Sequence, residues 1–399
     1  MAASDTEGRG FAIGGTAVVG LAGLSVVAVA GIAPTLAWIL LCVLGGLLVA
    51  RAGRAWSGVA QLILGAAGIS VGISRGVRFL GEDAVAWIAL CSLVAGLLLL
   101  GLGAWNLFTG INRWSRIPAG LLAVIAVPLT VYTLAIPMAA TTSPRAESAP
   151  QTPVGWTDVT FSTSDGVRLS GWFTPSRNGA GIVVVPGSGS NRTGALTQAQ
   201  VLADAGFAVL VYDPRGHGDS GGRAMEFGWA GDADVSAAVD FLAARPTVRS
   251  GQLGALGLSM GGEQVLGAAA ADPRIEAVVA EGATNRVADD FAWLSSRYGW
   301  RGMIQRVLDA PRFALVDALA DQSPPISLRT AVERISPRPV LLIAAGEVPD
   351  EGYATFHIAG DSASVQTWLV PGAGHTGALS RAPDQWRRTV VGFFDRNLL

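Results

Sequence analysis

Lysine is absent from this 399-residue sequence, histidine occurs three times and cysteine twice. No function follows from the missing lysine itself; it leaves all 28 basic side chains as arginine. Both cysteines, Cys42 and Cys91, lie inside apolar runs. That position argues against a disulfide framework and for two small buried hydrophobes. Charge is thin and unevenly spread. Up to about residue 140 there are seven arginines and four acidic residues, and the remainder carries 21 and 26, so the two parts stand at +3 and −5. Neither part has the basic patch that nucleic-acid binding requires. No His/Cys/Asp/Glu cluster stands at a metal-ligand spacing, and no phosphate-binding glycine fingerprint follows a strand. Neither a metal nor a cofactor is therefore expected.

What the first part does have is long runs without charge. Residues 11–33, 35–50, 56–74, 84–108 and 117–140 are five such runs of 16 to 25 residues. A signal peptide would supply one apolar stretch, not five, and core helices of a soluble domain would not recur in this way. Serines and Gln61 soften the run at 56–74, the weakest of the five. The reading is an all-α transmembrane region over residues 1–140 that anchors the chain in the lipid bilayer. No ionisable residue sits mid-run, so no ion or proton pathway is indicated. With five spans and a cytoplasmic N-terminus, the inside loops hold Arg9, Arg51, Arg54, Arg113 and Arg116. Arginine-rich inside loops favour that orientation, and the odd span number then places the second part outside the cytoplasm. Loss of one span reverses the side.

Residues 141–156, rich in Thr, Ser, Pro and Ala, read as a linker. Beyond them strands and helices alternate. Thr157 to Ser162 and Val167 to Phe173 flank Asp165-Gly166, a hairpin signal. Further strands are expected at Ile182 to Pro186, Phe207 to Tyr212, Leu253 to Leu258, Ala277 to Ala280, Val340 to Ala345 and Val365 to Val370. Helices are expected at 194–205, 231–244, after Ser259, near 351–359 and at about 382–396. This alternation over residues 157–399 predicts an α/β fold with a doubly wound, mostly parallel sheet. A helical stretch at about 285–337 would form a small cap, with Trp293, Tyr298, Trp300, Met303, Ile304 and Phe313 as its apolar content.

The most informative stretch is Gly257-Leu258-Ser259-Met260-Gly261-Gly262. It lies between a buried strand and a helix, the context in which G-x-S-x-G carries chemistry. Glycines two before and two after the serine permit a sharp turn. Ser259 is then raised as a nucleophile at a helix N-terminus, where developing negative charge is favoured. A serine needs an adjacent base. Of the three histidines, His357 falls mid-helix. His375 follows the last strand in a glycine-rich loop, where a side chain can hang over the strand ends. His375 is the candidate base.

Residues 157–399 resemble an α/β-hydrolase domain of the serine-aminopeptidase-like and acyl-esterase-like branches. The motifs that carry the likeness are Gly257 to Gly262, the loop Tyr212-Asp213-Pro214-Arg215-Gly216-His217-Gly218-Asp219-Ser220, and Pro371-Gly372-Ala373-Gly374-His375. The resemblance implies the order nucleophile, acid, histidine along the chain. It also implies that His217 shapes the site rather than acting as base, and that Asp213, Arg215 and Asp219 are loop architecture. The family acid usually lies three residues beyond a glycine that follows the seventh strand, a position held here by Pro349. A one-residue shift favours Asp350, with Glu347 and Glu351 as the alternatives. For the oxyanion hole the resemblance points to backbone N–H groups of Met260 and Ser188, although Pro186-Gly187 stands where the family often has His-Gly.

These readings converge on a membrane-anchored serine hydrolase. It would cleave a carboxylic ester, or a thioester or amide, of a small or lipid-like acyl substrate through an acyl-enzyme. Peptidase and acyltransferase variants use the same groups. The rival from another class is a non-catalytic membrane scaffold or sensor with a degenerate hydrolase fold. Its support is the displaced acid and the missing His-Gly.

Overall fold

The computed structural model describes residues 54–73, 84–109, 113–141, 148–222, 226–320 and 322–399. The chain divides into two compact units, residues 1–142 with 311–319, and residues 143–310 with 320–399.

In the first unit the described N-terminal helices are α1 (Arg54–Val71), α2 (Ala84–Thr109) and α3 (Arg113–Thr141). The first two run antiparallel and approach so closely that glycine is required along the seam. A Cβ on Gly65 would lie 2.8 Å from Gly96 O, and one on Gly58 would lie 2.8 Å from Gly103 O. A hydrogen bond from Asn106 Nδ2 to Gln61 Oε1, at 2.8 Å, bridges the same pair. Among the described residues two stretches are long and apolar enough to cross a membrane, Leu90–Thr109 and Ile117–Leu134. Only 22% and 11% of them is buried. The expected run at 56–74 yields only a shorter apolar stretch, Ser57–Ser70. The runs at 11–33 and 35–50 lie outside the described residues. Two candidate spans, not five, is thus what the described residues provide.

The second unit is built on one eight-stranded sheet, of order β1-β2-β4-β3-β5-β6-β7-β8. Its strands are β1 (Thr157–Ser162), β2 (Arg168–Thr174), β3 (Gly181–Val185), β4 (Ala208–Tyr212), β5 (Leu253–Leu258), β6 (Ile275–Glu281), β7 (Val340–Ala345) and β8 (Val365–Val370). The hairpin β1–β2 is antiparallel and joins β4 antiparallel, whereas β4, β3, β5, β6, β7 and β8 all pair in parallel. Central strands are buried on both faces, which is why they read as continuous β-branched and leucine runs. Alternate residues serve opposite layers. Ile182, Val184, Leu256 and Ile343 pack with Trp386, Phe393 and Phe394 of the C-terminal helical turns. Val183, Val185, Ala255 and Leu342 pack with α5 (Gly231–Ala243), α6 (Met260–Ala271) and α9 (Leu328–Ile335), while α4 (Leu196–Asp204) lies in the first layer.

The inserted helices are α7 (Trp293–Tyr298) and α8 (Trp300–Leu319). The cap was expected to run on to about residue 337. Instead Leu328, Ala331, Val332 and Ile335 are buried in the layer beside α6, so α9 belongs to the doubly wound core. Nor do the insert's apolar side chains form a cap core: Trp300, Met303 and Ile304 are exposed, and Phe313 alone of the six named is buried.

The loop after β4 is held by a buried arginine paired with one buried and one exposed carboxylate. Arg215 Nε donates to Asp234 Oδ1 at 2.9 Å, and its Nη1 donates to Asp165 Oδ2 at 2.8 Å. Asp213 accepts the backbone N–H groups of Arg192 and Asp219 at 2.7 and 2.9 Å. His217 is buried, its Nδ1–H donating to Arg215 O at 3.1 Å. Removing one partner of a buried pair leaves the other charge uncompensated, at a cost of about 3–5 kcal/mol. Arg215→Met is therefore expected to lower the free energy of unfolding by about 3–5 kcal/mol, and adding Asp234→Asn to restore part of it. Chemical denaturation of the full-length protein measures both; an unchanged midpoint in Arg215→Met would contradict the assignment.

Candidate active site

Ser259 connects β5 to α6 with φ 53° and ψ −122°, a left-handed backbone rarely adopted by a residue with a side chain. Its surroundings allow nothing else. A Cβ at position 257 would sit 2.1 Å from Gly261 O, and one at position 261 would sit 2.5 Å from Pro186 O. The turn is held from below by the Ser259 N–H, which donates to Glu281 O at 2.7 Å. Strain of this kind costs on the order of 1–3 kcal/mol and persists only where the neighbours over-determine it.

From this bend a hydrogen-bonded chain runs across the C-terminal ends of three strands. Ser259 Oγ–H donates to His375 Nε2 at 2.8 Å. His375 Nδ1–H donates to Glu351 Oε2 at 2.7 Å. The other carboxylate oxygen, Oε1, accepts the N–H of Ala345 at 2.7 Å, tying the acid to the end of β7. Glu351 is 1% accessible at its side chain and His375 47%, so the chain passes from a buried carboxylate to a half-open imidazole. Its bond to Glu351 holds the imidazole above its ordinary 6.5, against the opposing effect of partial burial.

Asp350, the favoured acid in the sequence, does not touch the histidine. It is exposed and accepts a hydrogen bond from the hydroxyl of Tyr298. Both residues lie in the first turn of α10 (Pro349–Ala359), and one step along a helix turns the side-chain direction by about 100°. Glu351 thereby points into the core while Asp350 points outward. Glu347, the third candidate, precedes the helix and is exposed. His357, on the same helix, lies apart from the Ser259 and Glu351 hydrogen bonds, which both go to His375.

Three further residues escaped the sequence reading. Gly282 follows β6 at φ +75°, and a Cβ there would lie 2.9 Å from His375 Cε1, so this glycine makes room for the imidazole. Glu281 is buried, receiving the N–H of Ala378 at 2.9 Å and Trp386 Nε1–H at 3.1 Å, and burial pushes its carboxyl up. It fastens the segment that follows His375. Glu263, one turn into α6, accepts the N–H groups of Thr284 and Asn285 at 3.2 and 3.0 Å. Burial pushes that carboxyl up to about 8. Only the glycine left a signal, as the residue directly after an apolar strand; nothing distinguished the two glutamates from surface ones.

The loop Pro186 to Ser190 lies against the bend, since a Cβ on Gly187 would be 3.3 Å from Ser259 Cβ. Ser188 in it is exposed. Met260 opens α6, and the first N–H groups of a helix have no intrahelical acceptor. Among the described residues no group of three or more His, Cys, Asp or Glu side chains is placed to hold a metal ion.

The arrangement can be set beside known proteins. The model of the X-Pro dipeptidyl-peptidase (S15) family matches residues 131–312, a stretch that contains Ser259 but neither Glu351 nor His375. An uncharacterized protein of Mycobacterium tuberculosis is 28% identical over 226 residues, covering 55% of this chain and 72% of that protein. A polyketide transferase of Penicillium sp is 34% identical over 132 residues, covering 31% of this chain and 43% of the relative. Among solved structures, an esterase of Pyrococcus furiosus superposes with a TM-score of 0.50 at 22% identity, covering 65% of this chain and 98% of the esterase. The second unit therefore has the α/β-hydrolase fold. The match to the S15 family model supports a hydrolase of ester or amide bonds.

If Gly282 is what makes room for the imidazole, Gly282→Ala should displace His375 and lower kcat/KM for an ester by about 100-fold, the cost of roughly an ångström of misplacement. Circular dichroism should show the fold retained. Unchanged turnover would contradict the role.

Proposed function

We propose that this chain is a membrane-anchored serine hydrolase that cleaves a carboxylic ester, or a related thioester or amide, through an acyl-enzyme on Ser259, His375 and Glu351. The observation that carries the reading is the pair of hydrogen bonds, 2.8 and 2.7 Å, that links nucleophile to imidazole and imidazole to carboxylate. Ser259 Oγ attacks the acyl carbonyl as His375 Nε2 takes its proton. Glu351 keeps Nδ1 protonated, presents Nε2 as the acceptor and stabilises the imidazolium that forms. The backbone N–H groups of Met260 and Ser188 receive the charge developing on the carbonyl oxygen. His375 then returns the proton to the leaving group, and water repeats the sequence on the acyl-enzyme. An acceptor alcohol or amine in place of water would make the same groups an acyltransferase.

The anchor belongs to this proposal. Its support is the two membrane-length helices, α2 and α3, with large apolar side chains such as Leu97, Leu98, Leu121 and Val124 exposed. An anchored site favours acyl substrates that reside in or near the bilayer. The side on which the hydrolase unit lies follows from the number of spans: five would place it outside the cytoplasm and one fewer would place it inside, and protease access to residues 148–399 in intact cells distinguishes the two.

A panel of p-nitrophenyl esters tests the chemistry. Ser259→Ala should abolish turnover. Glu351→Gln should lower kcat by about 10,000-fold, as loss of the orienting carboxylate does elsewhere, while Asp350→Asn stays within a few-fold of wild type. The reverse ranking would hand the role to Asp350. The pH profile supplies a second check. His375 acts only when neutral, and its proton is held above the ordinary 6.5 by Glu351, so the rate should rise with pH through a limb above 6.5. In Glu351→Gln that limb should move to lower pH; an unmoved limb would contradict the pairing.

A further inference from the structure

Helix α8 has two unlike faces. One is pressed inward: a Cβ on Gly302 would lie 2.0 Å from Leu294 O, and Asp309, seven residues on, is buried. The other carries Trp300, Met303, Ile304 and Val307, at the i, i+3, i+4 and i+7 positions that share one helix face. Their side chains are exposed, by 66%, 60%, 50% and 71%. Single exposed apolar residues are ordinary, but a contiguous stripe marks a contact surface.

The charge around the stripe points to one kind of partner. From residue 291 to residue 308 there are three basic residues, Arg297, Arg301 and Arg306, and no acidic one. All three are exposed. Arg301 lies over the indole of Trp300 at 5.6 Å. A tryptophan and aliphatic residues along one face, flanked by arginines whose stems can reach outward, is the make-up of a helix lying in the headgroup region of a bilayer. The same chain supplies helices of membrane length.

We infer that the outer face of α8 rests on the surface of an anionic lipid bilayer, with Trp300, Met303, Ile304 and Val307 dipped below the headgroups and the arginines set against lipid phosphates. This inference rests on the membrane-anchored reading. It deepens that reading by naming the surface the hydrolase unit turns toward the lipid. The inserted helices also bear on the active site. Trp293 stacks on Tyr353 at 6.1 Å, and the hydroxyl of Tyr298 bonds Asp350, both on the helix that supplies Glu351.

The test uses the full-length protein with Cys42→Ser and Cys91→Ser, reconstituted into phosphatidylcholine vesicles containing phosphatidylglycerol. An NBD fluorophore on Val307→Cys should emit to the blue and lose intensity when doxyl-labelled lipid is included. The same label on Asp361→Cys, an exposed turn residue beyond the catalytic helix, should do neither. Emission from Val307→Cys that is unaffected by doxyl lipid but quenched by aqueous iodide would overturn the inference. So would shielding from both quenchers, which would mean that protein covers the stripe. Carbonate washing separates this from the anchor. Protein that resists extraction yet shows no lipid quenching refutes the α8 contact alone. Protein that is extracted only by carbonate, with quenching intact beforehand, removes the anchor and leaves the contact standing.

Discussion

One imidazole, held between a hydroxyl and a buried carboxylate, is the constraint to which the second unit is fitted. Nε2 of His375 is an acceptor for Ser259 when Nδ1 carries the ring proton, and Glu351, 24 residues earlier, holds that proton in place. A buried carboxylate is costly unless fully hydrogen-bonded. Glu351 meets that condition with the backbone of Ala345 on one oxygen and the histidine on the other. The carboxylate is therefore fixed by the sheet itself, and the histidine is fixed by the carboxylate.

The parallel sheet explains how three residues so far apart in sequence come together. Ser259, Glu351 and His375 each follow a strand, β5, β7 and β8, at its C-terminal end, where open α/β sheets place their sites. The strand between them, β6, contributes no reacting group but governs the spacing. Its last residue holds the serine backbone and the segment after His375, and the glycine that follows leaves the volume the imidazole fills. The strained backbone at Ser259 is supported by this same lattice of close backbone contacts, so the positions where no side chain fits are as much part of the site as the side chains.

Much of this was legible beforehand, and the failures have physical causes. Strand runs buried on both faces, the hairpin at Asp165-Gly166, the bend at Ser259 and the glycine-rich approach to His375 are local signals, set by residue type over a few positions. The acid was not local. Asp350 and Glu351 are adjacent and chemically alike; which one faces the core depends on where α10 begins, at Pro349, and a one-residue change of phase exchanges them. The extent of the insert failed for a related reason, because the periodicity of residues 328–335 is that of any amphipathic helix and does not say whether its partner is a cap or the sheet. Glu263 and Glu281 read as ordinary surface residues, since burial by distant chain segments leaves no mark in their own neighbourhood. Of the two supports for a non-catalytic scaffold, the displaced acid is answered by a glutamate bonded to His375, while Pro186-Gly187 still stands where the family often has His-Gly.

The central claim is that Ser259 is a nucleophile activated through His375, and covalent labelling addresses it without any knowledge of the substrate. Full-length protein treated with a fluorophosphonate should carry one adduct, mapped by mass spectrometry to the peptide containing Ser259. Labelling should be absent in Ser259→Ala and greatly slowed in His375→Ala. A folded wild-type protein that takes up no fluorophosphonate, or one whose adduct maps to another residue, would contradict the account.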